Sequence, residues 1–138
     1  MKLKKFNKIL VVDDDRASNF LTSTTLEEMD VAGEIVQLHG GRAALDYLKE
    51  QCVNESRVRE DCPDLILLDN RMPGMTGTEF LAAFKEFRKN YPFVHTSIVI
   101  LSAALHEKFV AEMSQLGAIA CLEKPLTEED MAGLLSQL

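Results

Sequence analysis

Asp64-Leu65-Ile66-Leu67-Leu68-Asp69-Asn70-Arg71-Met72-Pro73-Gly74 is a short apolar run closed by a carboxylate and a turn. Residues 65–68 show no apolar–polar alternation, so both faces of the strand they form must be covered. Such a strand belongs inside a parallel sheet. Three other runs end as abruptly. Ile9-Leu10-Val11-Val12 stops at Asp13-Asp14-Asp15, Ile98-Val99-Ile100-Leu101 stops at Ser102, and Ile119-Ala120-Cys121-Leu122 leads to Lys124-Pro125. Read as parallel strands, the four runs bring acids, a hydroxyl and an ammonium to one edge of one sheet.

Between these runs the apolar spacing turns helical. The pattern predicts strands near 8–12, 34–38, 65–68, 98–101 and 118–122, and helices over 16–29, 42–52, 78–90, 106–116 and from Thr127 onward. In the first helix, Ala17, Phe20, Leu21 and Thr24 mark the expected inner face; in the third, Phe80, Phe84 and Phe87 do so. Pro92 stops the third helix, Gly117 caps the fourth, and Thr127 with Asp130 opens the last. Alternating β and α segments of this kind imply an α/β fold, a parallel sheet with helices on both faces. In such sheets ligands bind outside the carboxyl ends of the strands.

A chain of 138 residues fits one domain and leaves nothing for a second, so no output domain is expected. With 46% apolar and 27% charged residues it is a folded chain rather than a disordered one. No apolar run approaches the roughly 20 residues that cross a bilayer. The basic N-terminus is not followed by a signal-peptide stretch, because Asp13 interrupts it, and a cytoplasmic location is expected. A net charge of −7 argues against nucleic acid as a direct partner. Lys2, Lys4, Lys5 and Lys8 read as a short solvated tail. Cys52, Cys62 and Cys121 lack metal-ligand spacing; reduced thiols suit that compartment, with a Cys52–Cys62 bridge as the alternative. His39, His95 and His106 read as surface or loop residues. The polar stretch 54–61 has no assigned role.

One of Asp13, Asp14 and Asp15 is expected to cap the first helix. Three acids directly after a buried strand exceed what capping needs. With Asp69 they make an oxygen-only cluster of the kind Mg²⁺ uses. Close carboxylates repel, and a bound cation relieves that while admitting an anionic phosphoryl donor. Lys124, restricted to extended backbone by Pro125, would reach carboxylate or phosphoryl oxygen. Ser102 either caps the next helix or donates to a phosphoryl oxygen.

In combination, Val11-Val12-Asp13-Asp14, Leu67 to Gly77, Leu101-Ser102-Ala103 and Lys124-Pro125 resemble the response-regulator receiver domain of two-component signalling, including its stand-alone chemotaxis-type members. The resemblance covers roughly residues 7–137. It implies a flavodoxin-like (βα)5 doubly wound sheet of strand order 2-1-3-4-5. It also implies that Asp69 is the phosphoacceptor. Asp13, Asp14, Asp69 and the backbone carbonyl of Arg71 would hold Mg²⁺, Ser102 and Lys124 would contact the phosphoryl group, and Lys124-Pro125 would be a cis peptide. The donor would be a sensor histidine kinase or histidine phosphotransfer protein. A downstream protein would read residues 104–137, and the domain would catalyse only its own phosphorylation and dephosphorylation. Three departures stand out: Cys121 where the family often has an aromatic residue, Ser102 where threonine is commoner, and Arg71 two residues after the acceptor, where side chains tune acyl-phosphate lifetime. A Mg²⁺-dependent aspartate-nucleophile phosphatase would use the same acids, but no acid follows Asp69 by two residues and little chain remains for a substrate cap. A receiver that binds partners without phosphorylation is the third reading, and the intact acids and Lys124 speak against it.

Overall fold

The computed structural model describes residues 5–138. Its elements are β1 (Phe6–Val12), α1 (Arg16–Met29), β2 (Ala32–Leu38), α2 (Gly41–Gln51), a 3-10 turn (Glu55–Arg57) running into the short α3 (Val58–Asp61), β3 (Leu65–Asp69), α4 (Gly77–Asn90), β4 (Ser97–Ser102), α5 (Glu107–Gln115), β5 (Ala120–Glu123) and α6 (Glu128–Leu135). All strand pairs are parallel and the order is β2-β1-β3-β4-β5, the flavodoxin-like arrangement expected.

Successive strand residues point to opposite faces, and this splits the core in two. Leu10, Val12, Ile66, Leu68, Ile98 and Ile100 pack with Ala44 and Leu48 of α2, the Phe80, Phe84 and Phe87 row of α4, and Met113 of α5. Ile9, Val11, Leu65, Leu67, Val99 and Leu101 pack with Leu26 of α1 and Met131 and Leu134 of α6. Each fully buried side chain of this size contributes roughly 1.5–3 kcal/mol of transfer free energy. The central strands β1, β3 and β4 are therefore nearly all apolar, whereas the edge strand β2 is half exposed.

Local chemistry sets the element ends. Asp15 is the helix cap among the three acids, its carboxylate accepting from the amides of Ala17 and Ser18. Thr76 and Glu79 form a complete capping box that starts α4. Gly117 adopts φ 110°, and the Gly117→Ser114 and Ala118→Met113 amide–carbonyl bonds close α5 as a Schellman motif. Met72-Pro73-Gly74-Met75 is a turn with Gly74 at φ 82° and the Met75 amide donating to the Met72 carbonyl.

Three expectations need correction. The inner face of α1 is Asn19, Thr22, Ser23 and Leu26, while Phe20 and Leu21 are 62% and 59% exposed. On that face Asn19 answers backbone groups: its amide nitrogen donates to the carbonyl of Leu38 at 2.9 Å and lies 3.4 Å from that of Asp13. Lys8 is not in a solvated tail. It is buried, with Nζ 2.8 Å from the Tyr47 hydroxyl, 2.9 Å from the Asp61 carbonyl and 3.6 Å from Glu34; Lys2 and Lys4 lie outside the described residues. Cys52 and Cys62 are joined as a disulfide, because α2 ends and β3 begins with their Cα atoms 4.8 Å apart; Cys121 is free. The 54–61 stretch between them forms the 3-10 turn and α3.

Candidate functional site

The carboxyl ends of β1 and β3 lie side by side, with Val12 opposite Leu68, so Asp13 and Asp69 emerge next to each other. Oxygens from Asp13, Asp14 and Asp69 lie within 4.8 Å of one another. Asp13 and Asp69 are buried and Asp14 is exposed, which gives the cluster one open side. β5 lies on the far side of β4, yet Lys124 reaches back across it. Its Nζ is 2.6 Å from Asp13 Oδ2 and 3.1 Å from Asp69 Oδ1. The Lys124 amide donates to the Ser102 carbonyl at 2.8 Å, and the Lys124–Pro125 bond is cis.

Asp13 and Asp69 differ electrostatically although both touch the same ammonium. Burial pushes the Asp13 carboxyl up, but donation from Lys124, from the Ser18 hydroxyl at 2.6 Å and from the Asp15 amide at 3.0 Å outweighs it and holds the group below the usual carboxylate range. Asp69 goes the other way. Burial and the neighbouring Asp13 charge lift its carboxyl above the usual value, against donation from Lys124 and the Arg71 amide. Burial lowers the Lys124 ammonium pKa, yet bonding to both carboxylates raises it on balance. Two carboxylates with separated proton affinities and one shared cation make a fixed anionic support beside a more basic carboxylate.

Ser102 ends β4 one residue beyond Leu101, the partner of Asp69. Its hydroxyl donates to the Ala104 carbonyl at 2.9 Å rather than to the acids, and the helix cap it was a candidate for is His106. Arg71 is exposed and lines an open groove with Asp14, Met72, Thr76, Phe109 and Glu112. Cys121 sits opposite Ile100, half-buried against the core, and burial raises its thiol pKa. Ser18, Asn19 and His39 complete the support of Asp13; His39 Nδ1 is 3.4 Å from the Asp13 carbonyl. Sequence reading missed Ser18 and Asn19. Their spacing of five and six residues after Asp13, on the first turn of a capped helix, is the signal that would have found them.

The donor set fits Mg²⁺. The cluster offers carboxylate oxygens with no sulfur or imidazole, as a hard cation requires.

A family profile described as the response regulator receiver domain matches residues 9–136. The chain is 30% identical to the response regulator Rcp1 of Synechocystis over 89% of its length and 80% of that protein. It is 32% identical to the transcriptional regulatory protein CpxR of Escherichia coli and 30% identical to the sensor protein GacS of Pseudomonas syringae, spanning 46% and 12% of their lengths. The receiver domain of the Arabidopsis thaliana histidine kinase CKI1, solved with Mg²⁺, superposes with a TM-score of 0.81 at 28% identity, covering 98% of this chain and 92% of that one. The chain belongs to the response regulator receiver domain family, the phosphoacceptor modules of two-component signalling.

Proposed function

We propose that Asp69 is the residue that accepts the phosphoryl group, that Mg²⁺ held by Asp13, Asp14, Asp69 and the Arg71 carbonyl is required, and that the product switches a protein-binding surface. The observation that carries this reading is the Lys124 ammonium shared between Asp13 and Asp69 beside the three-carboxylate cluster. Mg²⁺, when bound, neutralises the acids and polarises the incoming phosphoryl oxygens. An Asp69 oxygen attacks phosphorus of a phosphohistidine in line, the P–N bond breaks, and the imidazole leaves. Lys124 stands where charge spreads over the equatorial oxygens in the transition state. Asp13, fixed by Ser18 and the Asp15 amide, stays ionised throughout.

The donor is a sensor histidine kinase or a histidine phosphotransfer protein, consistent with receiver domains acting alongside such kinases. The new dianion draws the Ser102 hydroxyl from the Ala104 carbonyl, and the loops after β4 and β5 follow. The surface that changes is α5, β5 and α6, about residues 104–137, where Leu105 and Val110 are each 36% exposed and ready to meet a protein. Cys121, in the strand that would otherwise carry an aromatic reporter, leaves Ser102 and Lys124 as the transmitting groups. Beyond its own phosphorylation and dephosphorylation the domain catalyses nothing.

Intact mass after exposure to acetyl phosphate tests the proposal. The native chain gains one phosphoryl group with Mg²⁺ and none after chelation, and Asp69→Asn gains none. Equal labelling of Asp69→Asn, or labelling that ignores chelation, would overturn it.

A further inference from the structure

At the opposite edge of the sheet from the acids, a second pair of reactive side chains meets. Cys52 caps the end of α2 and Cys62 stands immediately before Pro63 and β3, and their sulfurs are bonded across a separation of ten residues. The intervening segment is fastened to β1 at two further points: the Asp61 carbonyl accepts from Lys8 Nζ and the Arg59 carbonyl accepts from the Asn7 side-chain amide at 3.1 Å. We propose that Cys52 and Cys62 form a reversible thiol–disulfide pair that exchanges with low-molecular-weight disulfides such as glutathione disulfide, and that their redox state sets how firmly residues 53–61 are held.

The two cysteines are not equivalent. Cys52 is 0% exposed. Cys62, though only 4% exposed, lines an open cleft of about 520 Å³ together with Glu55, Arg59, Phe93 and His95, the side from which a small thiol or disulfide would approach. The reduced form is also provided for. Thr96 donates its hydroxyl proton to the Pro63 carbonyl at 2.7 Å, and its oxygen lies 3.5 Å from Cys62 Sγ with lone pairs free to accept an S–H. A buried thiol at residue 62 therefore has a partner, and neither redox state leaves it unsatisfied.

The exchange balances in two steps. The Cys62 thiolate attacks one sulfur of glutathione disulfide, forming a mixed disulfide and releasing one glutathione thiolate. The Cys52 thiolate then attacks Cys62 Sγ, forming the internal bond and expelling the second glutathione. Two electrons pass from the protein to the oxidant, and the two protons given up by the cysteine thiols end on the two glutathione thiols; excess glutathione reverses both steps. Cys121 is a free cysteine outside the bonded pair and takes no part. The pair is fixed to the entry of β3, whereas Asp69 is its last residue, so redox state changes the segment and not the phosphoryl pocket.

The native chain, equilibrated without denaturant in glutathione buffers from fully reduced to fully oxidised, is quenched, unfolded and alkylated for intact mass. The expected result is conversion in both directions between a form with three alkyl groups and a form with one, at Cys121. The reduced form should be cut by trypsin after Arg57 or Arg59 severalfold faster. Cys52→Ser should accumulate one glutathione on Cys62, and Cys62→Ser none on Cys52. Three alkyl groups in every buffer, a bridge that opens only after unfolding, or equal trypsin rates would each overturn the proposal. Should Cys52→Ser fail to fold, the two-way conversion of the native chain decides.

Discussion

Strand β1 has a buried charge at each end, Lys8 at its start and Asp13 just past its finish. At the start, one cation meets a hydroxyl, a carbonyl and a single exposed carboxylate, and lies 5.4 Å from the Tyr47 ring centre. Burial lowers the Lys8 pKa but the Tyr47 and Glu34 contacts raise it on balance. The ammonium's three contacts are one hydroxyl, one carbonyl and one carboxylate, so no excess of anions gathers round it. At the finish, one cation meets two buried carboxylates with a third beside them. That end carries an excess of negative charge, and the buried amide oxygen of Asn19 beside it has no hydrogen-bond partner among the described residues. The contrast teaches that a buried lysine is not in itself a functional signal; the excess of anions around it is.

Four substitutions sharpen or break this contrast. Lys124→Ala leaves Asp13 and Asp69 facing each other and should cost about 3 kcal/mol in chemical denaturation without Mg²⁺. Most of that loss should return in saturating Mg²⁺, because a cation then occupies the acids. Lys8→Met strands the Tyr47 hydroxyl and the Asp61 carbonyl and should cost about 2 kcal/mol. Mg²⁺ should restore none of it, and acetyl phosphate labelling should stay unchanged. If Mg²⁺ rescues both variants, or neither, the two ends are alike and the contrast fails.

Asp69→Asn should stabilise the metal-free domain by about 1 kcal/mol at neutral pH, because one of two repelling charges is gone. The sign follows from linkage: folded Asp69 holds its proton to higher pH than the unfolded chain does, so native stability falls as pH climbs from about 3.8 through the raised folded value. The advantage of Asn should therefore vanish in acid below that window, as pH-dependent melting would reveal. Asp13 runs opposite, its contribution being present above about 3.8 and lost as pH drops through its lowered folded value. Ser18→Ala is the smallest change. Loss of that donor should cost about 0.5–1 kcal/mol and raise the Asp13 carboxyl, read by carboxylate NMR titration.

Much of this was legible beforehand, for a definite reason. The runs ending in Asp13, Asp69, Ser102 and Lys124 are uninterrupted because their strands are covered on both sides, and parallel pairing then places their last residues at one edge. What periodicity could not supply was the partner of each face. Phe20 and Leu21 recur at helical spacing, yet the sheet takes Asn19, Thr22, Ser23 and Leu26 instead, since α1 begins over the carbonyls of Asp13 and Leu38. Lys8 falls just after the basic run Lys2, Lys4 and Lys5, but its neighbours in space, Tyr47 and Asp61, are distant in the chain, and sequence proximity does not show them. Cys52 and Cys62 meet only because the 3-10 turn and α3 fold the intervening residues back, and no propensity in that polar stretch announces this.

The central claim concerns which carboxylate takes the phosphoryl group. Reduction of the acetyl-phosphate-labelled protein with borohydride converts an acyl-phosphorylated aspartate to homoserine, and peptide mass then locates it. Homoserine at residue 69 alone, formed only with Mg²⁺, is the predicted result. Homoserine at residue 13, 14 or 15, or none anywhere, would contradict the account.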